Sequence, residues 1–184
     1  MLSLINKGLD LLLAVLPKSK NTSAQPVIVP PELPVQEERK VAISLEAYFE
    51  DPKTGNDRRL QYPNDYTNEI LENAKITLQK TNALLADLGI ITCTVSSGYR
   101  PISVNSAIPG SAKKGLHMQG KAIDIKDSTG QLDQILDSDK GQELLEKHGL
   151  WQEHPDATST WCHVDWGTRP IKDRPGCKKR QFKP

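Results

Sequence analysis

A run of prolines near the N-terminus limits how much of this chain can fold into one domain. Five prolines stand between residues 17 and 34 of the 184-residue chain. Proline removes a backbone hydrogen-bond donor and favours extended chain, so neither a helix nor a central strand is expected to continue through this stretch. We therefore divide the chain into a short apolar or amphipathic segment (residues 1–20), a proline-rich linker (residues 21–40) and a folded domain (residues 41–184).

The apolar run in the first segment, Leu9–Leu16, leaves the cellular location open. It is too short to span a bilayer as a helix. It resembles the core of a signal peptide, but Asp10 interrupts it and no small-residue cleavage site follows cleanly. Membrane contact, export and release on lysis all remain compatible with this segment.

Charge and cysteine usage exclude several classes of protein. The 24 basic and 23 acidic residues give a net charge of +1, so nothing global indicates a nucleic-acid partner. The three cysteines form no CxxC pair and are odd in number, which argues against a disulfide framework and against a cysteine-ligated zinc. We expect a monomeric protein.

The spacing of apolar residues indicates an α+β fold with a small, largely antiparallel sheet and helices packed on it. Apolar residues recur at helical spacing over residues 67–88, and one or two further helices are indicated between residues 132 and 149. The residue pattern predicts three strands, and it predicts a loop between the first and the second of them. The predicted strands are 90–97, 121–126 and 161–166, and the predicted loop is 101–120.

His117, Asp124 and His163 are candidate metal ligands. Asp124 stands in a predicted strand among alanine and isoleucine, where a carboxylate needs a partner charge or a metal ion. Two imidazoles and one carboxylate suit zinc and leave a fourth position open, as in catalytic sites. Water bound there can reach a pKa of about 7 and act as a nucleophile.

Spacing alone leaves two other interpretations of these residues open. The histidines are also compatible with ordinary hydrogen-bonding roles and the aspartate with a salt bridge. The same donor set binds iron in non-haem oxygenases, although those enzymes usually place the first histidine and the acid two residues apart. Here His117 and Asp124 are seven residues apart.

The residues around these candidates resemble the signature of the zinc D-Ala-D-Ala carboxypeptidase family. That family includes phage L-alanyl-D-glutamate endolysins and vancomycin-resistance dipeptidases, and it shares its fold with Hedgehog signalling domains. The resemblance covers about residues 41 to 184 and is strongest with short phage and prophage members. It is carried by Ser97-Gly98-Tyr99-Arg100-Pro101, Asn105, Gly110-Ser111, the run from His117 to Asp124, and the W-x-H of Trp161 to His163.

The resemblance implies a zinc peptidase that hydrolyses peptide bonds in the stem peptides of bacterial peptidoglycan. It implies Zn²⁺ as the cofactor, with His117, Asp124 and His163 as its ligands. It also implies that Arg100 binds the substrate carbonyl or the tetrahedral intermediate, a role that suits a permanently charged group with several donors. D-Ala-D-Ala carboxypeptidase and L-Ala-D-Glu endopeptidase activity are both compatible with it.

One departure from the family pattern concerns the general base. The family typically places Asp or Glu three residues before the last histidine, where this chain has Thr160. Glu153 is our preferred substitute because of its reach, Asp156 is the alternative, and Asp165 is expected to support a ligand. Without any base, the chain would be a catalytically degenerate, zinc-containing module that binds cell wall or forms part of a virion.

Overall fold

A computed structural model describes residues 42–169 and 176–184 of the protein. The described residues fall within one compact unit, residues 38–184. The N-terminal segment (residues 1–20) and the linker (residues 21–40) predicted from the sequence lie outside the described residues. Within the part that the structure describes, no helix is both long enough and apolar enough to cross a bilayer.

The longest helix follows the prediction to within one residue at each end. It spans Asn68–Asp87, and the hydroxyl of Thr67 caps its start by accepting from the amide of Ile70. The described residues form six α-helices, α1 to α6 in chain order: Leu45–Phe49, Arg58–Gln61, Asn68–Asp87, Ile102–Ser106, Gln131–Asp137 and Asp139–His148. Two short 3-10 helices span Leu116–Gln119 and Pro155–Ala157.

Five strands form one sheet in the order β1-β2-β4-β3-β5. Neighbouring strands are antiparallel except β3 and β5, which run parallel. This arrangement confirms the α+β prediction with its small, largely antiparallel sheet. In chain order the strands β1 to β5 are Val95–Ser97, Ala122–Lys126, Trp151–Glu153, Trp161–Asp165 and Gln181–Phe182.

The first predicted strand, residues 90–97, is wrong in its first half. Only Val95–Ser97 pairs with β2, and Ile91 is largely exposed. The register places Val95 opposite Ile125, one residue before β2 ends at Lys126. Beyond that point the partner chain turns, so residues 90–93 have no neighbouring strand to pair with, although their β-branched composition favours one.

The two faces of the sheet carry different side chains because residues alternate along each strand. Asp124 pairs directly with His163 across β2 and β4, so both lie on the same face. We call this the site face; it comprises Asp124, Glu153, His163, Asp165 and Phe182. The opposite, core face comprises Ile123, Ile125, Gln152, Cys162 and Val164, and its apolar members pack with leucines of α3 and α6.

Candidate metal centre

Two strands and a short helix bring the three candidate ligands together. Asp124 comes from β2, His163 from β4, and His117 from the 3-10 helix that precedes β2. His163 Nδ1 lies 2.7 Å from Asp124 Oδ1, and His117 Nε2 lies 3.2 Å from that same oxygen. The two nitrogens are 3.2 Å apart, and all three residues are buried. We call these three atoms the ligand triangle.

The dimensions of the ligand triangle fit zinc. Tetrahedral coordination with bonds of about 2.0–2.1 Å separates neighbouring ligand atoms by about 3.3 Å. Two of the three separations in the triangle are 3.2 Å and the third is 2.7 Å. The donor set therefore suits a small tetrahedral ion and leaves a fourth position for water or substrate.

His117 is oriented by a backbone carbonyl. Its Nδ1 lies 2.7 Å from the carbonyl oxygen of Gly98, so Nδ1 donates there and the lone pair of Nε2 faces the triangle. A Cβ atom on Gly98 would lie 2.0 Å from the carbonyl oxygen of Tyr48, which leaves no room for a side chain at this position. Burial lowers the pKa of His117, which favours the neutral imidazole that a metal ion requires.

His163 is oriented by a carboxylate instead. Its Nε2 lies 3.2 Å from Oδ2 of Asp165, whose residue is completely buried. Burial alone would lower the pKa of His163, but the hydrogen bonds to Asp124 and Asp165 outweigh it and raise the pKa to about 10. The two carboxylates thus favour positive charge at this point of the site face.

Asp124 remains ionised although it is buried. Burial would raise the pKa of its carboxyl, but His117 and His163 outweigh that effect and hold the pKa well below its usual range. Its second oxygen, Oδ2, accepts a 2.7 Å hydrogen bond from Nη2 of Arg100. The carboxylate therefore has one oxygen in the triangle and one bound to a cation.

The structure brings Arg100 to the edge of the ligand triangle. Besides its bond to Asp124, its Nε donates to the hydroxyl of Ser97 over 3.0 Å, and its amide donates to the carbonyl of His117. The side chain is 13% exposed. The motif from Ser97 to Arg100 thus serves the site at three points: a hydroxyl that holds the arginine, a carbonyl that orients His117, and the guanidinium itself.

Of the two candidate bases, the structure brings Glu153 to the triangle and not Asp156. Glu153 Oε2 lies 4.0 Å from His163 Nδ1, its side chain is 17% exposed, and burial raises its pKa. Asp156 is 79% exposed and lies 3.4 Å from a ring nitrogen of His154 instead. Asp165 contacts His163 from the side away from the triangle, the position expected of a supporting acceptor.

Two residues near the site were not found by sequence reasoning. Arg169 binds both oxygens of Asp165, and the ring of Phe182 lies 5.9 Å from the ring of His163 between centroids. Arg169 follows Asp165 by four residues, a spacing that by itself does not predict a contact. Phe182 belongs to a strand of two residues, which is too short to produce an alternating pattern.

Comparison with known proteins identifies a family for this chain. The family model of peptidase M15 matches residues 50–165, which is more than half of the chain and includes the ligand triangle, Arg100 and Glu153. No curated protein matches the chain. The chain belongs to the peptidase M15 family, the family of zinc D-Ala-D-Ala carboxypeptidases that its motifs resemble.

Proposed function

We propose that this protein is a zinc-dependent peptidase that hydrolyses a peptide bond in the stem peptides of peptidoglycan. The observation that carries the proposal is the ligand triangle with a carboxylate 4.0 Å from one of its atoms. Metal ligands and a nearby base are the two elements that hydrolysis of a peptide bond by metal-assisted attack of water needs. Membership of the peptidase M15 family supports this reaction class and this type of substrate.

The three triangle residues would hold the metal ion. His117 contributes Nε2, His163 contributes Nδ1 and Asp124 contributes Oδ1, since the other polar atom of each side chain is already engaged. Zinc bound there supplies a Lewis acid and lowers the pKa of its water to about 7. The buried position of all three residues limits competition from bulk water.

Glu153 is our candidate for the general base. Its carboxylate lies beside the triangle yet keeps partial exposure, so both a water molecule and a substrate can reach it. In the proposed reaction it accepts a proton from the attacking water at Oε2 and passes that proton to the leaving amine. Glu153 would thereby take over the role that the family usually gives to the position of Thr160.

Arg100 is our candidate for stabilising the negative charge that develops on the substrate carbonyl oxygen. Ser97 and Asp124 already hold the guanidinium in place, so little reorganisation is needed when the charge develops. A guanidinium has five N–H donors, and these two contacts use only two of them. The remaining donors provide the means to bind the oxyanion.

Two peptide bonds are compatible with this site. Cleavage of the terminal D-Ala-D-Ala bond would make the protein a carboxypeptidase, and cleavage between L-Ala and D-Glu would make it an endopeptidase of the endolysin type. Thr160 motivates a second candidate function, a catalytically degenerate zinc module that binds cell wall or forms part of a virion. The proximity of Glu153 to the triangle favours the enzyme.

Mass spectrometry of defined muropeptides incubated with the zinc-loaded protein tests the proposal. A product that lacks terminal D-Ala identifies the carboxypeptidase, and a product cut after L-Ala identifies the endopeptidase. Glu153→Gln should lower turnover by about 10²–10⁴-fold, the usual contribution of a general base, and should retain zinc. Asp156→Asn is the matched control, because its exposed carboxylate lies beside His154, and it should keep wild-type turnover.

Three outcomes would change the proposal. If Asp156→Asn abolished turnover and Glu153→Gln did not, the base would be Asp156. Muropeptides that stay intact with zinc-loaded protein would favour the binding module. Cleavage that persists after His117→Ala would exclude the ligand triangle as the catalytic centre.

A further inference from the structure

The C-terminal strand β5 lies outside the family-matched residues 50–165, yet it forms part of the site face. It pairs in parallel with β3, with Phe182 opposite Glu153, and the amide of His154 donates to the carbonyl of Phe182 over 2.8 Å. The register therefore places the ring of Phe182 on the same side of the sheet as the ligand triangle. Its centroid lies 5.9 Å from that of His163, edge to face.

Arg169 lies between this ring and the carboxylate that orients His163. Its Nη1 and Nη2 donate to Oδ1 and Oδ2 of Asp165, the second over 2.7 Å, in the two-pronged geometry that fixes the plane of a carboxylate. Its guanidinium carbon lies 3.5 Å from the centroid of the Phe182 ring. The amide of Gly167 adds a further 3.0 Å bond to Asp165 Oδ1.

These contacts fix the orientation of the His163 ring. Asp165 is completely buried, so it depends on Arg169 for a compensating charge and on both donors for its orientation. While its Oδ2 faces Nε2 of His163, the ring is held with Nδ1 directed at the triangle. A carboxylate free to rotate would no longer hold the ring in this orientation, and Nδ1 would no longer be fixed at the ligand position.

We propose that Arg169, held against Phe182 of the C-terminal strand, is a positioning residue that fixes Asp165 so that His163 presents Nδ1 to the metal ion. The inference rests on the proposed metal centre. It makes the last residues of the chain part of the site, although the family-matched region ends at residue 165. Arg169 acts through Asp165 and His163 and touches no ligand atom of the triangle itself.

The test measures the zinc dissociation constant of the full-length protein by competition with a chelator of known affinity. Arg169→Gln should raise the dissociation constant about 10–100-fold, the usual effect of losing a partner that orients a ligand. Arg169→Lys should give an intermediate value, because lysine keeps the charge but lacks the two-pronged geometry. Phe182→Leu should raise the constant about 2–5-fold through the lost cation–π contact.

Lys179→Gln is the matched control. Lys179 belongs to the same C-terminal region but pairs with Glu146 on the surface, at 2.6 Å, so its removal should leave zinc affinity unchanged. The visible absorption spectrum of the cobalt-loaded protein provides the second measurement. It should change in Arg169→Gln and remain as in the wild type in Lys179→Gln, because only the first alters the geometry around His163.

The outcomes separate this inference from the proposed function. A folded Arg169→Gln protein that binds zinc as tightly as the wild type, with the same cobalt spectrum, would overturn the role of Arg169. If Arg169→Gln does not fold, an unchanged zinc affinity in Phe182→Leu would overturn the role of the C-terminal strand. A wild-type protein without zinc affinity would overturn both proposals, whereas zinc binding without muropeptide cleavage would overturn only the peptidase.

Discussion

Two buried aspartates on the site face and one behind the core face lie in opposite electrostatic surroundings. On the site face, Asp124 and Asp165 each bind an arginine, Arg100 and Arg169 respectively. Burial would raise the pKa of both carboxyls, but two histidines outweigh it at Asp124, and His163 and Arg169 outweigh it at Asp165. Both carboxylates are thus maintained in the ionised form.

Asp133 of α5 shows the other condition, behind the core face. Its oxygens accept from the side-chain amide of Gln152 over 2.9 Å and from the hydroxyl of Thr158 over 3.2 Å, and both of these donors are neutral. Burial raises the pKa of Asp133, and the neutral hydrogen bonds offset this only in part. Burial thus determines the direction of the pKa shift at Asp133.

This difference explains where a metal ion can bind. A divalent cation needs deprotonated ligands, which means ionised carboxylates and neutral imidazoles. The ligand atoms must also lie close together without strong repulsion between them. On the site face, Arg100 binds Oδ2 of Asp124 and Arg169 binds both oxygens of Asp165. Oδ1 of Asp124 and the facing nitrogens of His117 and His163 converge on one point. Among the described residues, the core face provides hydrogen bonds but no such group of ligand atoms.

Replacing one aspartate on the site face and one behind the core face is expected to give the largest difference in zinc binding and activity. Asp124→Asn removes the charged member of the triangle and leaves Arg100 without its partner. Its zinc affinity should fall by more than the ~10–100-fold expected for a supporting residue, and peptidase activity should disappear. Asp133→Asn should bind one zinc ion per chain and retain activity. Metal content by mass spectrometry and muropeptide turnover measure both effects.

Equal zinc content in the two variants would contradict the comparison, because it would mean that the charge on the site face is not what holds the ion. Zinc loss in Asp133→Asn alone would place the metal centre on the other side of the sheet.

Arg100→Gln tests whether the cation on the site face also serves the reaction. If the guanidinium stabilises the oxyanion, turnover should fall by about 10²–10³-fold, the usual effect of losing one such donor. Arg59→Gln is the matched control, because Arg59 forms a comparable pair with Asp57, 2.6 Å apart, on helix α2. It should leave turnover unchanged. Weaker zinc affinity with nearly wild-type turnover at saturating zinc would assign Arg100 to metal binding alone.

The sequence predicts the part of this centre that local patterns encode. Strand alternation places Asp124 and His163 within strands, and antiparallel pairing of those strands makes them neighbours. The family motif adds Arg100 and His117. Each of these predictions depends on a few adjacent residues, and the structure brings the side chains that they name together.

The rest depends on contacts between distant parts of the chain. Glu153 reaches the triangle because β3 pairs with β4, and β3 has three residues, too few to show a pattern. Phe182 reaches it through a parallel pair at the sheet edge. Thr160 indicates only that the general base comes from another position in the chain. Side-chain length then favours Glu153 over Asp156.

A single methyl group added at Gly98, whose backbone carbonyl orients His117, should destabilise the fold. In Gly98→Ala the new Cβ would overlap the carbonyl of Tyr48, and that overlap with backbone should cost about 3 kcal/mol of unfolding free energy. Gly115→Ala is the matched control, since its Cβ would lie 3.3 Å from the nearest atom and its φ of −61° suits alanine. Urea unfolding measures both. Similar losses in the two variants would mean that the contact at Gly98 relaxes.

The pH dependence of stability that Asp133 contributes is the smallest expected effect. It tests directly whether burial behind the core face raises the pKa of this carboxyl. Its pKa is higher in the folded than in the unfolded protein, so below the ordinary aspartate value both states hold the proton and the group contributes no pH dependence. Above that value the unfolded chain ionises first, and the wild type loses stability until the pH passes the folded pKa.

Asp133→Asn lacks this titration, so its stability relative to the wild type should rise as the pH increases above the ordinary aspartate value. The lost hydrogen bonds add a constant offset, and only the slope reports the carboxyl. Urea unfolding of both proteins across this range measures it. A difference that stays constant would mean that Asp133 titrates normally in the fold. A difference of opposite sign would mean that it ionises as readily as Asp124 and Asp165, and the contrast between the two faces would then come from arginine geometry rather than from burial.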